Sequence, residues 1–241
     1  MKLSGSEIII ESLKKEGEEY IFGYPGGAVL HIYDALFAAE KIKHVLVRHE
    51  QGATHAADGY ARACNKPGVV LVTSGPGITN CVTGIATAHM DSIPMIVISG
   101  QVSRQYVGSD AFQEADATGI TRPICKHNFL INDRESIAET FSKAFIIATT
   151  GRPGPVIIDI PKDLTDPKVK INFEYKKNIK IRSYQIKKSE SDEKIKEAAR
   201  LICSAKKPMI YAGGGVILGK ASNDLVKLTQ HRNFPITNQL M

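Results

Sequence analysis

Short apolar runs recur along most of the chain at Tyr20–Phe22, Val45–Val47, Val69–Val72, Met95–Ile98 and Val156–Ile160, each separated from the next by a longer segment. The runs are near-continuous in Val, Ile and Leu rather than alternating in and out, the pattern of strands covered on both faces. The intervening segments hold apolar residues at helical spacing, as in Ala53, Ala56, Ala57, Tyr60, Ala61 and Cys64. Strand, helix, strand in repetition predicts an α/β fold, a doubly wound parallel sheet. Such a sheet binds ligands outside the carboxyl ends of its strands. The loops there are rich in Gly and Pro: Tyr24-Pro25-Gly26-Gly27, Thr73-Ser74-Gly75-Pro76-Gly77 and Ser99-Gly100-Gln101. Glu50 falls where the Val45–Val47 run gives way to a helix. It reads either as an acid favoured by the helix dipole or as a group facing a ligand.

Ser4-x-x-Glu7 is a capping-box signature, and Gly17 suits the stop of the helix it opens. Asp159-Ile160-Pro161-Lys162-Asp163 closes the first domain, placed at 1–165. A linker is expected over 166–190, with eight basic residues against two acidic ones between Asp166 and Lys188, the whole of the net +6. Concentrated there with alternating Ile and Lys, the charge reads as solvated chain and not as a nucleic-acid face. A second unit over 191–241 begins with a helix near Ser191, followed by strands at Met209–Ala212 and Phe234–Thr237. Two strands in about 50 residues are too few to bury a core of their own.

Hydrophobic content of 43% and charged content of 23% fit a globular chain. No apolar run nears the roughly 18 residues of a membrane span, and the N-terminus lacks signal-peptide anatomy, so a cytoplasmic protein is expected. Cys64, Cys81, Cys125 and Cys203 show no zinc spacing and read as reduced thiols packed as small hydrophobes. His49 and His55 suit hydrogen-bonded or surface roles. Neither Gly75-Pro76-Gly77-Ile78-Thr79-Asn80 nor Gly213-Gly214-Gly215-Val216-Ile217-Leu218-Gly219 completes a dinucleotide fingerprint. Each reads as a tight turn or as a backbone approach to an anionic cofactor.

Several elements occur together and in order: Tyr24-Pro25-Gly26-Gly27-Ala28, Arg48-His49-Glu50-Gln51-Gly52, Ser74-Gly75-Pro76-Gly77 with Thr79-Asn80, Asp110-Ala111-Phe112-Gln113-Glu114, Lys126-His127-Asn128 and Gly151-Arg152-Pro153-Gly154-Pro155. This set closely resembles the catalytic subunits of the acetolactate synthase family of thiamine diphosphate enzymes. The resemblance implies that Glu50 hydrogen-bonds a ring nitrogen of the cofactor's aminopyrimidine, favouring the tautomer that deprotonates the thiazolium carbon. It places Thr73, Pro76 and Asn80 around the same pyrimidine, and Gly26, Gly27, Phe112, Gln113 and Lys126 around the substrate or the site mouth. Arg152 and Gly213, Gly214 and Gly215 match flavin contacts, so FAD is implied as a largely structural cofactor. The implied reaction decarboxylates pyruvate and joins the remainder to a second pyruvate, or to 2-oxobutyrate. Its products are 2-acetolactate and 2-aceto-2-hydroxybutyrate, precursors of branched-chain amino acids. A homodimer or higher oligomer and a small regulatory subunit are implied partners.

There are departures from the family pattern. Family members are more than twice as long and carry a Gly-Asp-Gly element that holds Mg²⁺ and the diphosphate. No Gly-Asp-Gly occurs here, Ala57-Asp58-Gly59 being the nearest, and Ile78 and Ser103 stand where Ala and often Pro are usual. The expectation is a pyrimidine-binding domain with a truncated flavin domain, no metal ligands of its own and no activity alone. Another thiamine diphosphate decarboxylase or oxidase, and a non-catalytic flavin- or nucleotide-binding module, are the alternatives.

Overall fold

Ser4 opens α1 (Gly5–Glu16) with both halves of a capping box: its hydroxyl accepts from Glu7 N, and the Glu7 carboxylate accepts from Ser4 N at 2.7 Å. Gly17 closes the helix with φ 84°, a conformation glycine adopts without penalty. In the computed structural model, residues 1–177, 179–185 and 190–239 are described. The chain divides into two units, Met1–Ile186 and Lys187–Met241.

The first unit runs β1 (Lys2–Ser4), α1, β2 (Tyr20–Gly23), α2 (Leu30–Phe37), β3 (Lys43–Leu46), α3 (Glu50–Cys64) and β4 (Gly68–Val72). It continues with α4 (Pro76–Thr79), α5 (Val82–Met90), β5 (Met95–Gln101), α6 (Ala117–Thr121), β6 (His127–Leu130), α7 (Ile137–Thr149), β7 (Pro155–Pro161) and β8 (Lys170–Asn172). Six strands form one parallel sheet in the order β3-β2-β4-β5-β7-β6, as the spacing predicts. Successive side chains on the inner strands go to opposite faces. Val69, Leu71, Ile96, Ile98, Val156 and Ile158 join α1, α2 and α7 on one side. Val70, Val72, Met95, Val97 and Ile157 join Ala53, Ala57, Ala61 and Ile85 from α3 and α5 on the other. Covering both faces is what makes these runs continuous in sequence.

Three short strands escape the sequence pattern. β6 begins in the polar pair His127-Asn128, and β1 and β8 pair antiparallel as three-residue ladders. The β8 ladder also revises the linker. Phe173, Tyr175, Ile181 and Tyr184 pack against the core that α1 and α7 help form, so these side chains tie the 166–190 stretch to the first unit while its described lysines stay exposed. Lys187 and Lys188 of that stretch lie outside the described residues. Two cysteines also depart from expectation: Cys81 and Cys125 are buried, but Cys64 and Cys203 are exposed.

The second unit holds α8 (Asp192–Ser204), capped by Ser191, then β9 (Ile210–Ala212), α9 (Gly215–Leu218), α10 (Ser222–Arg232) and β10 (Ile236–Asn238). β9 and β10 pair in parallel. None of its described residues is fully buried. Among all described residues, no helix is long and apolar enough to cross a membrane.

Glu18, between α1 and β2, is 4% exposed, and its Oε2 has no hydrogen-bond partner among the described residues. Burial pushes its carboxyl up to about 8, outweighing the nearby Lys66 charge. The unfolded chain releases this proton in the ordinary carboxylate range, so stability falls as pH rises from there and the loss is complete above about pH 8. In urea titrations, Glu18→Val should therefore gain on the parent progressively between about pH 5 and pH 8, by on the order of a few kcal/mol. A gain that is the same at both ends of that range would show that Glu18 is ionised in the fold.

Candidate active site

The connections after β2, β3, β4 and β5 all leave the sheet at its carboxyl rim, because these strands are parallel. The first and third meet directly. Ala28 N donates to Thr73 Oγ1 at 3.2 Å, and a Cβ on Gly26 would lie 2.5 Å from Thr73 Cβ. Gly26 therefore allows the Tyr24-Pro25-Gly26-Gly27 loop to close on buried Thr73. Gly27 faces open space and Pro76 is exposed at the start of α4.

Glu50 is the first residue of α3, behind the cap His49, whose Nδ1 accepts from Gln51 N at 3.2 Å. Only 8% exposed, the carboxylate has one partner among the described residues: Asn80 Nδ2 donates to its Oε2 at 2.9 Å. Asn80 is fixed by its own N–H to Pro76 O, at 3.0 Å. Glu50 thus sits where an acid suits the helix dipole, and among the described residues no hydrogen bond reaches its second oxygen, Oε1. Cys81 lies behind it, its thiol 3.3 Å from Gly77 O and held well above the usual range by burial and then by the Glu50 charge. The same two causes, in the same order, raise Tyr33. Its hydroxyl donates to Leu71 O at 3.2 Å and lies 3.3 Å from His44 Nε2.

The Asp110–Glu114 loop folds around its own acid. Glu114 accepts from the N–H groups of Gly108 and, at 2.8 Å, of Ala111, and these bonds hold its carboxyl below the usual range. Phe112 at the tip is 88% exposed. Gln113, at φ 57°, sets its backbone against the Gly75 turn, where a Cβ on Gly75 would stand 2.6 Å from Gln113 O.

The rim thus gathers Gly26, Gly27, Glu50, Thr73, Pro76, Asn80, Phe112 and Gln113. Lys126 and Arg152 are not among them. Lys126 precedes β6 at the amino end of the sheet, its N–H bonded to Pro155 O at 2.8 Å. Its ammonium donates to Ile147 O, to Thr150 O at 2.6 Å and to the Tyr184 hydroxyl at 2.8 Å, where it caps the carbonyls ending α7. Arg152, before β7, bonds Ser92 Oγ at 2.7 Å and Met90 O at 3.1 Å. Gly213, Gly214 and Gly215 follow β9 in the second unit and lead into α9. Among the described residues, no three His, Cys, Asp or Glu side chains are placed to hold a metal ion.

Two rim residues escape the sequence reading as chemistry: Gln101 and Asp159, joined by a 3.0 Å hydrogen bond at the ends of β5 and β7. The signal for Asp159 was a carboxylate inside an otherwise apolar run, as with Glu50 beside its own.

A buried acid and its amide at the open rim of a parallel sheet, ringed by glycine turns, suit a heteroaromatic cofactor. The chain belongs to the thiamine pyrophosphate enzymes: their N-terminal TPP binding domain matches residues 3–120 and their central domain residues 195–241. Its whole length aligns with acetolactate synthase large subunits. It is 53% identical to that of Haemophilus influenzae over 240 residues, which is 100% of this chain and 42% of the relative. Identity is 57% over 239 residues to the large subunit of Buchnera aphidicola subsp. Schizaphis graminum, and 50% over 239 residues to the isozyme 3 large subunit of Escherichia coli. In both, 99% of this chain and 42% of the relative are covered. The chain thus spans about two fifths of the length of these relatives.

The Gly75 turn gives a direct test of the loop packing. Gly75 combines φ 57° with ψ −114°, and a Cβ there meets backbone. Gly75→Ala should cost roughly 1–3 kcal/mol in chemical denaturation, whereas Gly27→Ala, facing open space, should be near neutral. Equal costs would mean that Gln113 does not rest on this turn.

Proposed function

We propose that residues 1–165 form the pyrimidine-binding half of an acetolactate synthase active site and that residues 191–241 open its flavin-binding domain. The observation that carries the reading is the Glu50–Asn80 pair at the rim, with Oε2 held at 2.9 Å and Oε1 without a protein partner among the described residues. Thiamine pyrophosphate, when bound, supplies the carbanion-stabilising chemistry. The residues present fit its pyrimidine. Glu50 offers a buried carboxylate oxygen to a ring nitrogen and shares a proton there. Asn80 would hold one oxygen of that carboxylate, Thr73 would hold the glycine loop through its bond from Ala28 N, and Pro76 would border the pyrimidine. Gly26 lets its loop close on Thr73, Gly27 leaves open space beside it, and Phe112 and Gln113 come to the rim on the loop after β5.

Pyruvate is the substrate in this reading, with a second pyruvate or 2-oxobutyrate as acceptor, in a cytoplasmic branched-chain pathway. The relatives' names support it, and "large subunit" in those names supports assembly as an oligomer with a small regulatory subunit. Mg²⁺ would take its ligands from outside the described residues. FAD is the further cofactor of this reading, and its candidate contacts are taken separately: Arg152 on the first unit, and the Gly213–Gly215 turn after β9 on the second.

In the full-length enzyme, Glu50→Gln should slow proton exchange at the thiazolium carbon by roughly 10²–10⁴-fold, followed by NMR in deuterium oxide. A rate near that of the parent would remove Glu50 from the proton's path. Product analysis decides the reaction: a ligated hydroxy-oxo acid supports it, whereas an aldehyde or acetyl phosphate assigns another enzyme of the same class. The 241 residues alone, with pyruvate, Mg²⁺ and thiamine pyrophosphate, should form no acetolactate above background.

A further inference from the structure

The loop after β5 reaches the rim from two anchors. At its start, Arg104 N and Nε donate to the two carboxylate oxygens of Asp163 at 2.9 and 2.7 Å, and Arg104 Nη1 donates to Asn132 O at 2.9 Å. At its end the fixture is internal. Gln101 is 4% exposed, and its Nε2 donates both to Ala115 O at 2.9 Å and to Asp159 Oδ2 at 3.0 Å, while its Oε1 accepts from Val102 N at 2.8 Å. One amide therefore joins the first residue after β5 to the far end of the loop. Asp159 is 2% exposed, and its Oδ1 has no partner among the described residues.

A carboxyl is costly to bury half-satisfied, and an apolar residue would complete β7 more cheaply. What the acid supplies is an acceptor that fixes the orientation of the Gln101 amide, so that both Nε2 hydrogens are committed. Between Val102 and Ala115 lies the self-bonded turn around Glu114, and Gln113 rests on the Gly75 turn that precedes Pro76.

We propose that Gln101 and Asp159 are positioning residues that hold the 102–116 loop, and with it Phe112 and Gln113, in register over the Gly75-Pro76 turn at the mouth of the site. Neither touches a reacting atom; each acts through the loop. Burial pushes the Asp159 carboxyl up to about 7, against hydrogen bonds from Gln101 and Ser99 and with the Asp116 charge adding to the rise. This suits an acid kept for its geometry. The proposal rests on the thiamine pyrophosphate reading of the rim, deepening it from cofactor contacts to the part that frames the substrate.

The test uses the full-length enzyme and two near-isosteric changes. Gln101→Met keeps the volume but removes both donors and should loosen the loop. Asp159→Asn keeps an acceptor for Gln101 and should behave like the parent. Hydrogen exchange at the amides of Gly108, Ala111 and Glu114 is expected to rise about tenfold in Gln101→Met, with β4 and β5 unchanged as a sign of an intact fold. The KM for pyruvate should rise about tenfold with a smaller change in kcat, since misplaced positioning groups weaken a site without abolishing its chemistry. Unchanged loop exchange in Gln101→Met overturns the proposal, as does a loosened loop with KM and kcat both at parental values. A third variant, Asp159→Leu, removes the acceptor and should loosen the loop as Gln101→Met does; loop exchange at the parental level in it removes Asp159 from the proposal. If the parent enzyme itself consumes no pyruvate while the exchange pattern holds, the acetolactate synthase reading falls and the anchoring stands.

Discussion

Parallel pairing of β2 with β3 and β4, and of β4 with β5, is the constraint on which the rest depends. A parallel pair cannot be closed by a hairpin, so each strand must be reached by a crossover that brings the chain back to the same starting edge. Every strand then ends on the same side. The register sets Gly23 beside Leu71 and Leu71 beside Ile98, so the connections after β2, β4 and β5 start close together. Their contacts follow from that start. Ala28 bonds Thr73, and Gly100 meets Ala28 and Val29 so closely that a Cβ would stand 2.7 Å from Val29 Cγ1. Glu50 arrives from β3, at the edge of the sheet, and finds Asn80 from the connection after β4.

How much of this was legible depends on how strongly each residue is buried. Val69–Val72, Met95–Ile98 and Val156–Ile160 are covered on both faces, so their sequences carry the signal twice over. β3 is an edge strand with Val45 and Leu46 exposed, and its observed span, Lys43–Leu46, begins two residues before the apolar run. β6 was missed because its other side is open and its first residues, His127 and Asn128, are polar. β1 and β8 could not be read, since pairing of Lys2–Ser4 with Lys170–Asn172 is a contact across most of the chain. The basic stretch misled for a related reason. Its lysines are solvated, but Phe173, Tyr175, Ile181 and Tyr184 among them are not idle spacers. Linear motifs also do not say to which end of a sheet a residue goes. Asn80 and Lys126 each sit in a family-like motif, yet one faces Glu50 and the other closes α7 at the opposite edge.

Three buried carboxyls show how differently the same group can be used. Glu50 is 8% exposed at the rim, with a donor on one oxygen and, among the described residues, none on the other. Asp159, further in, has a donor on one oxygen and, among the described residues, none on the other, and carries an amide that bonds both ends of a loop. Glu18 lies at the amino end of the sheet with an orphan oxygen and, among the described residues, anchors no loop by its side chain. Position along the strands separates them. The two at the carboxyl rim stand beside the glycine turns and the loop after β5, while Glu18 at the amino end stands beside neither.

The distribution of apolar side chains around the rim argues for a second surface there. Tyr24 is 41% exposed, Leu30 54%, Leu46 64% and Phe112 88%, and each lies on a connection at the carboxyl ends of β2, β3 or β5 or at the strand end itself. Single exposed hydrophobes are ordinary on any protein. Four on neighbouring connections of one rim, beside a buried acid with an oxygen to spare, are a different matter. The residues present offer neither a metal cluster among those described nor a Gly-Asp-Gly element for a diphosphate. Apolar side chains gathered on one rim mark a surface suited to a further contact.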